Sequence, residues 1–134
     1  MRAAAIAVYL TTILVFLQFA TGGTFLLEVA GYPSVAGTGD THLYVGYVAA
    51  LFALAAVILV WVSKPAHRGL RYASTATFVL MFFQGGLGFE KTTILEHYLL
   101  GTLVFISTLA ATFFAARWNK MPKSMVPAVP QPTS

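Results

Sequence analysis

Thr41–Ser63 reads THLYVGYVAALFALAAVILVWVS, a run without a single charged side chain. A membrane-crossing helix needs about 20 mostly apolar residues in succession, because each adds about 1.5 Å against a hydrocarbon core of roughly 30 Å. This stretch meets the requirement, with Thr41, His42 and Ser63 at its two ends. Ala3–Leu27, Tyr72–Phe89 and His97–Ala116 are further uncharged runs of spanning length. Helices pair every backbone polar group internally, as hydrocarbon demands. The expected fold is therefore all-α: an integral membrane four-helix bundle running up-down-up-down. Its helices are expected at about 3–27, 41–63, 70–89 and 95–117, in one domain covering 1–118. Residues 119–134 read as a flexible cytoplasmic tail, since Pro122–Ser134 holds four of the six prolines and no periodicity.

Composition agrees with this reading. Hydrophobic residues make up 58% of the 134 and charged residues 9%, against about 25% charged in a soluble domain. This excludes a secreted, cytosolic or disordered protein. The absence of cysteine excludes disulfides, cysteine-based zinc sites, iron–sulfur clusters and thiol nucleophiles. The net charge of +4 reflects where the charges stand. Arg2, Lys64, Arg68, Arg71, Arg117, Lys120 and Lys123 fall at the N-terminus, in the second loop or in the tail. Glu28, Asp40, Glu90 and Glu96 fall in the first and third loops, with Lys91 as the one cation there. Basic short loops mark the cytoplasmic side. The expected location is the plasma membrane, multi-pass, with both termini cytoplasmic and loops 28–41 and 90–96 outside. The cations suit anionic lipid headgroups, and no nucleic-acid partner is required. The apolar run after Arg2 exceeds the 7–15 residues of a signal-peptide core, so it reads as the first helix.

The chain also reads as two repeated hairpins. Helix 1 carries Phe16-Leu17-Gln18-Phe19-Ala20-Thr21-Gly22 and helix 3 carries Phe82-Phe83-Gln84-Gly85-Gly86-Leu87-Gly88. Helix 2 opens with His42-Leu43-Tyr44-Val45-Gly46 and helix 4 with His97-Tyr98-Leu99-Leu100-Gly101. Polar residues inside spanning segments are costly, which gives these repeats weight. In such a bundle helices 2 and 4 are diagonal, so His42 and His97 share a depth and can face each other. Two facing imidazoles suit the axial positions of one heme iron. Gly46 and Gly101, one turn below each histidine, would let a flat macrocycle approach the backbone. Gln18 and Gln84 would line the same cavity, and Asp40 and Glu96 are candidates for orienting the imidazoles. His67 reads as a solvated loop residue, and Gly22, Gly23, Gly85, Gly86 and Gly88 as sites of close helix packing.

With Q-x-x-x-G in helix 1, H-x-x-x-G in helix 2, Q-x-x-x-G in helix 3 and a histidine opening helix 4, the layout resembles one half of the heme A synthase family. Those enzymes have eight helices in two halves, and compact four-helix archaeal relatives belong to the same picture. The resemblance runs to about Trp118. It implies axial roles for His42 and His97 and pocket roles for Gln18 and Gln84. The family's glutamate before the helix-2 histidine is replaced here by Thr38-Gly39-Asp40-Thr41, and its loop cysteines are missing. The expected function is a b-type cytochrome with one bis-histidine heme near the extracytoplasmic face. It would serve as an electron-transfer subunit of a respiratory or oxidase complex, non-catalytic rather than an enzyme. The expected cofactor is heme b, with heme O or heme A as alternatives. Other subunits of a membrane redox complex and a quinone are the candidate partners. Two alternative functions are a compact enzyme oxidising heme O and a cofactor-free structural subunit.

Overall fold

The computed structural model describes residues 2–32, 38–63, 67–87 and 94–120. The residues of the expected tail beyond 120, the loop cations Lys64 and Lys91, and Glu90 lie outside the described residues. Among the described residues four helices make up the fold: α1 (Arg2–Val29), α2 (Thr38–Val62), α3 (Arg68–Leu87) and α4 (Ile94–Asn119). Each runs antiparallel to the next, and each packs on two neighbours. α1 lies against α2 and α4, and α3 against α4 and α2. The diagonals are α1 with α3 and α2 with α4, as the expected bundle requires.

Three of the four, α1, α2 and α4, are long and apolar enough to cross a membrane. Among the described residues only these three qualify, whereas the sequence offered four uncharged runs of spanning length. α3 opens with Arg68 and Arg71 and continues through Tyr72, Ser74, Thr75 and Thr77, so it is the least apolar of the set. It is nonetheless packed along the others as the fourth member of the bundle.

The distribution of side chains is that of a bundle surrounded by lipid. Small residues fill the interior: Ala4, Ala5, Ala49, Ala53, Ala56, Ala111 and Ala115 are buried. Large apolar residues such as Ile13, Leu51, Ile58, Leu103 and Phe113 stand on the outside. Between lipid and bundle there is little hydrophobic drive, so association rests on close contact of small residues and on interhelical hydrogen bonds. Such bonds fasten each adjacent pair. Gln18 reaches His42 between α1 and α2, and the Trp61 Nε1–H donates to Thr75 Oγ1 between α2 and α3. Thr77 and Ser107 pair at 2.9 Å between α3 and α4. Thr12 and Thr112 pair at 2.8 Å between α1 and α4. The buried hydroxyls of Thr11, Ser74, Thr77 and Thr108 also donate to carbonyls one turn back, which satisfies them without water.

Helix ends are set locally. α1 stops where Gly31 adopts φ 88°, and the Tyr32 N–H reaches back to the Leu27 carbonyl at 3.1 Å. Glycine takes that left-handed backbone without strain. α3 starts on His67, whose Nδ1 accepts the Gly69 N–H at 3.1 Å. The same ring stacks on Phe114 with centroids 5.3 Å apart. His67 is thus a helix cap packed on α4, which corrects its reading as a solvated loop residue.

Gly69 is fitted against the same aromatic ring. A Cβ there would lie 2.8 Å from Phe114 Cε1 and 2.9 Å from Cζ. Alanine gains about 0.5–1 kcal/mol in helix preference, whereas forced overpacking costs about 1–3 kcal/mol. Because Phe114 is held by His67, overpacking should win. Gly69→Ala is expected to destabilise the bundle by about 1 kcal/mol, read by reversible unfolding in mixed micelles.

Candidate functional site

The sequence motifs converge at the end of the bundle opposite Arg68 and Arg71. His42 and His97 face each other across the diagonal, ring centroids 6.0 Å apart at an interplanar angle of 66°. A cavity lies beside them, lined on its polar side by Gln18, His42, Gln84, His97 and Tyr98. Its floor is Val15, Met81 and Val104, all three packed with Ala49 and Ala53 into an apolar plug. The cavity is partly open, with a volume of about 60 Å³, several times the roughly 10–15 Å³ that one water requires. Phe19 walls it on α1, stacked on Phe105 at 5.7 Å and edge-on to Tyr98 at 6.4 Å.

The glycines of the motifs act as notches for side chains from the neighbouring helix. At Gly46 a Cβ would meet Gln18 Nε2 at 3.0 Å, and at Gly101 it would meet Gln84 Nε2 at 2.8 Å. The His42 ring lies in the notch of Gly22, with Cε1 3.1 Å from the Cβ position. Gln18-x-x-x-Gly22 and His42-x-x-x-Gly46 therefore interlock, each long side chain seated on the other helix's glycine. α3 and α4 repeat half of that arrangement through Gln84 and Gly101. Gly88, the remaining motif glycine, lies outside the described residues.

Hydrogen bonds define the imidazoles. The Gln18 amide N–H donates to His42 Nε2 at 2.9 Å. The His42 proton therefore sits on Nδ1, which donates to Thr21 Oγ1 at 3.3 Å. On the other hairpin, His97 Nδ1–H donates to the Gln84 carbonyl at 3.0 Å, one of the last-turn carbonyls that a helix leaves unpaired. His97 Nε2 is then a lone-pair acceptor. Gln18 Oε1 is buried with no hydrogen-bond partner among the described residues.

The cofactor expectation needs correction. Among the described residues no group of three or more His, Cys, Asp or Glu side chains converges to hold a metal ion. That donor set does not support heme b, heme O or heme A. The physical reasons are local. His42 Nε2 is occupied by the Gln18 amide. The notches at Gly46 and Gly101, read from sequence as room for a macrocycle, are filled by glutamine amides. Asp40 and Glu96 stand in the first turns of α2 and α4, where carboxylates favour the helix dipole. Neither lines the cavity.

The chain was compared with family models, curated proteins and solved structures. It matches none of them. The likeness to one half of a heme A synthase accordingly rests on the Gln, Gly and His spacing alone. Sequence reasoning passed over Thr21, Phe19 and Tyr98 as site residues. Thr21 stands three residues after Gln18 and Tyr98 directly follows His97, so only proximity to the motifs signalled them.

Proposed function

We propose that this bundle holds a lipid-soluble quinone or quinol in the cavity between His42, His97 and the two glutamines, as a non-catalytic binding subunit beside redox partners in the same membrane. One observation carries the reading: polar groups with free hydrogen-bonding capacity converge in an otherwise apolar, aromatic-walled cavity. His97 Nε2 is an acceptor, Gln18 Oε1 is a second one without a partner, and Gln84 and Tyr98 bring donors to the same lining. A buried unpaired polar group costs about 1–3 kcal/mol, so a ligand that satisfies it binds favourably. A quinone offers a flat apolar ring for the Phe19 wall, and carbonyl oxygens for the Gln84 amide and the Tyr98 hydroxyl. A quinol offers a hydroxyl donor for His97 Nε2. Its apolar body reaches the site through lipid, which fits a cavity built between membrane helices.

The distribution of charge supports the pocket facing the extracytoplasmic side, with Arg68, Arg71 and Arg117 at the cytoplasmic face of the plasma membrane. The apolar floor of Val15, Met81 and Val104 would then limit proton exchange at the site to the outer face.

Titration of the purified protein in detergent with a short-chain ubiquinone or menaquinone tests the reading. Saturable binding at a single site is expected. His97→Leu and Gln84→Leu should each weaken it roughly three- to ten-fold, the equivalent of one hydrogen bond. Partitioning into micelles without saturation, or variants indistinguishable from wild type, would remove the proposal.

A further inference from the structure

The opposite end of the bundle carries a second site, independent of the quinone reading. Trp61 closes α2, and the Arg71 guanidinium of α3 lies over its ring, 5.2 Å from the centroid. The indole is fixed from the other edge by its Nε1–H bond to Thr75 Oγ1 at 3.0 Å. Arg71 and Thr75 are one turn apart on α3, so the two side chains grip Trp61 together. Arg71 Nε is buried and has no hydrogen-bond partner among the described residues. Among the described residues no acidic side chain stands at this end: Asp40 and Glu96 open α2 and α4 at the other one. A guanidinium held over an indole, with one nitrogen desolvated and no carboxylate at this end among the described residues, is prepared for an external anion.

What surrounds it identifies the kind of anion. Ile58 and Val62, on the same helix as Trp61, are exposed apolar residues, placed to meet acyl chains. Trp61 and Tyr72 are themselves exposed, at 48% and 68%, and such amphipathic rings sit at headgroup level in membranes. Arg68 lies one turn from Arg71 on the same side of α3. We propose that Arg71, clamped on Trp61, binds the headgroup phosphate of an anionic phospholipid where the end of α2 meets the start of α3. The terminal guanidinium nitrogens match phosphate oxygens in pairs, which a lysine ammonium does not.

Arg117 supplies the internal comparison. Its guanidinium also lies 5.2 Å from an aromatic ring, but that ring is Phe113, one turn back on the same helix and exposed. Diffuse attraction of lipid to a basic surface predicts equal losses on removing either arginine. A built site predicts a larger loss at Arg71.

The experiment is a native mass spectrometry titration of the full chain with phosphatidylglycerol, phosphatidylcholine and, separately, inorganic phosphate. Helicity of every variant is checked by circular dichroism. Phosphatidylglycerol is expected to bind in preference to phosphatidylcholine. Arg71→Gln should lower that affinity roughly ten-fold, Arg71→Lys should fall between it and wild type, and Arg117→Gln should lose less. Equal losses in the Arg71→Gln and Arg117→Gln variants would overturn the site, as would no preference between the lipids. Inorganic phosphate binding as tightly as the lipid would overturn the lipid assignment.

Discussion

Gly101→Leu is expected to abolish measurable quinone binding while the bundle remains folded. A Cβ at this position would lie 2.8 Å from Gln84 Nε2, too close for the amide to stay. The displaced group is the far end of a flexible side chain, so it can swing aside without moving a helix. The remaining leucine carbons would then enter the cavity that Gly101 lines. Two effects combine: the volume for a ring is occupied, and the Gln84 donor is turned away. Together they should weaken binding on the order of 100-fold, about 2.7 kcal/mol. Both substitutions act through the same amide, so Gln84→Leu added to Gly101→Leu should cost less than the sum of the two. The same titration checks both, with circular dichroism confirming the fold. Binding within a few-fold of wild type in Gly101→Leu would show that ligand does not use this cavity.

Leu70→Ala should be the most damaging single truncation for stability. Leu70 is 0% exposed, in a cluster with Val60, Ala115 and Trp118. In water, emptying such a site costs about 2–5 kcal/mol, partly from transfer of the side chain and partly from the cavity left. In lipid the transfer part shrinks, because the surroundings are as apolar as the core. The cavity part remains, so a loss of about 2 kcal/mol is expected. Leu51 gives the contrast. It is 67% exposed on the lipid-facing side, and Leu51→Ala should change stability by no more than about 0.5 kcal/mol. Equilibrium unfolding of the two variants in mixed micelles decides the matter. Equal losses would mean that α3 does not pack as described.

Much of the fold was legible because hydrocarbon imposes a simple rule on composition. Uncharged runs separated by short charged segments gave the number and approximate bounds of the helices. The ends shifted by two or three residues: α2 opens at Thr38 where 41 was expected, and α3 at Arg68 where 70 was expected. The repeats of Gln18 with Gln84 and of His42 with His97 also pointed to the right region, since polar residues in apolar helices are few. Their chemistry was harder to read. Facing histidines followed by glycine fit a bound macrocycle and an interlocked packing equally well in one dimension. Only the neighbouring helix shows that glutamine amides fill the notches. His67 gave no signal of its packing either, because that depends on Phe114 forty-seven residues away in sequence.

The sequence alone determined that the chain is helical, how many helices it has and which ends carry the charge, because those follow from backbone hydrogen bonding and the cost of burying charge. Tertiary structure decided which face of each helix turns inward. With Leu51 and Ala53, or Leu103 and Val104, all apolar, no periodic pattern separates lipid side from core side. That choice rests on size and close contact between helices, and so do the glycine notches, the grip of Arg71 on Trp61 and the cavity itself.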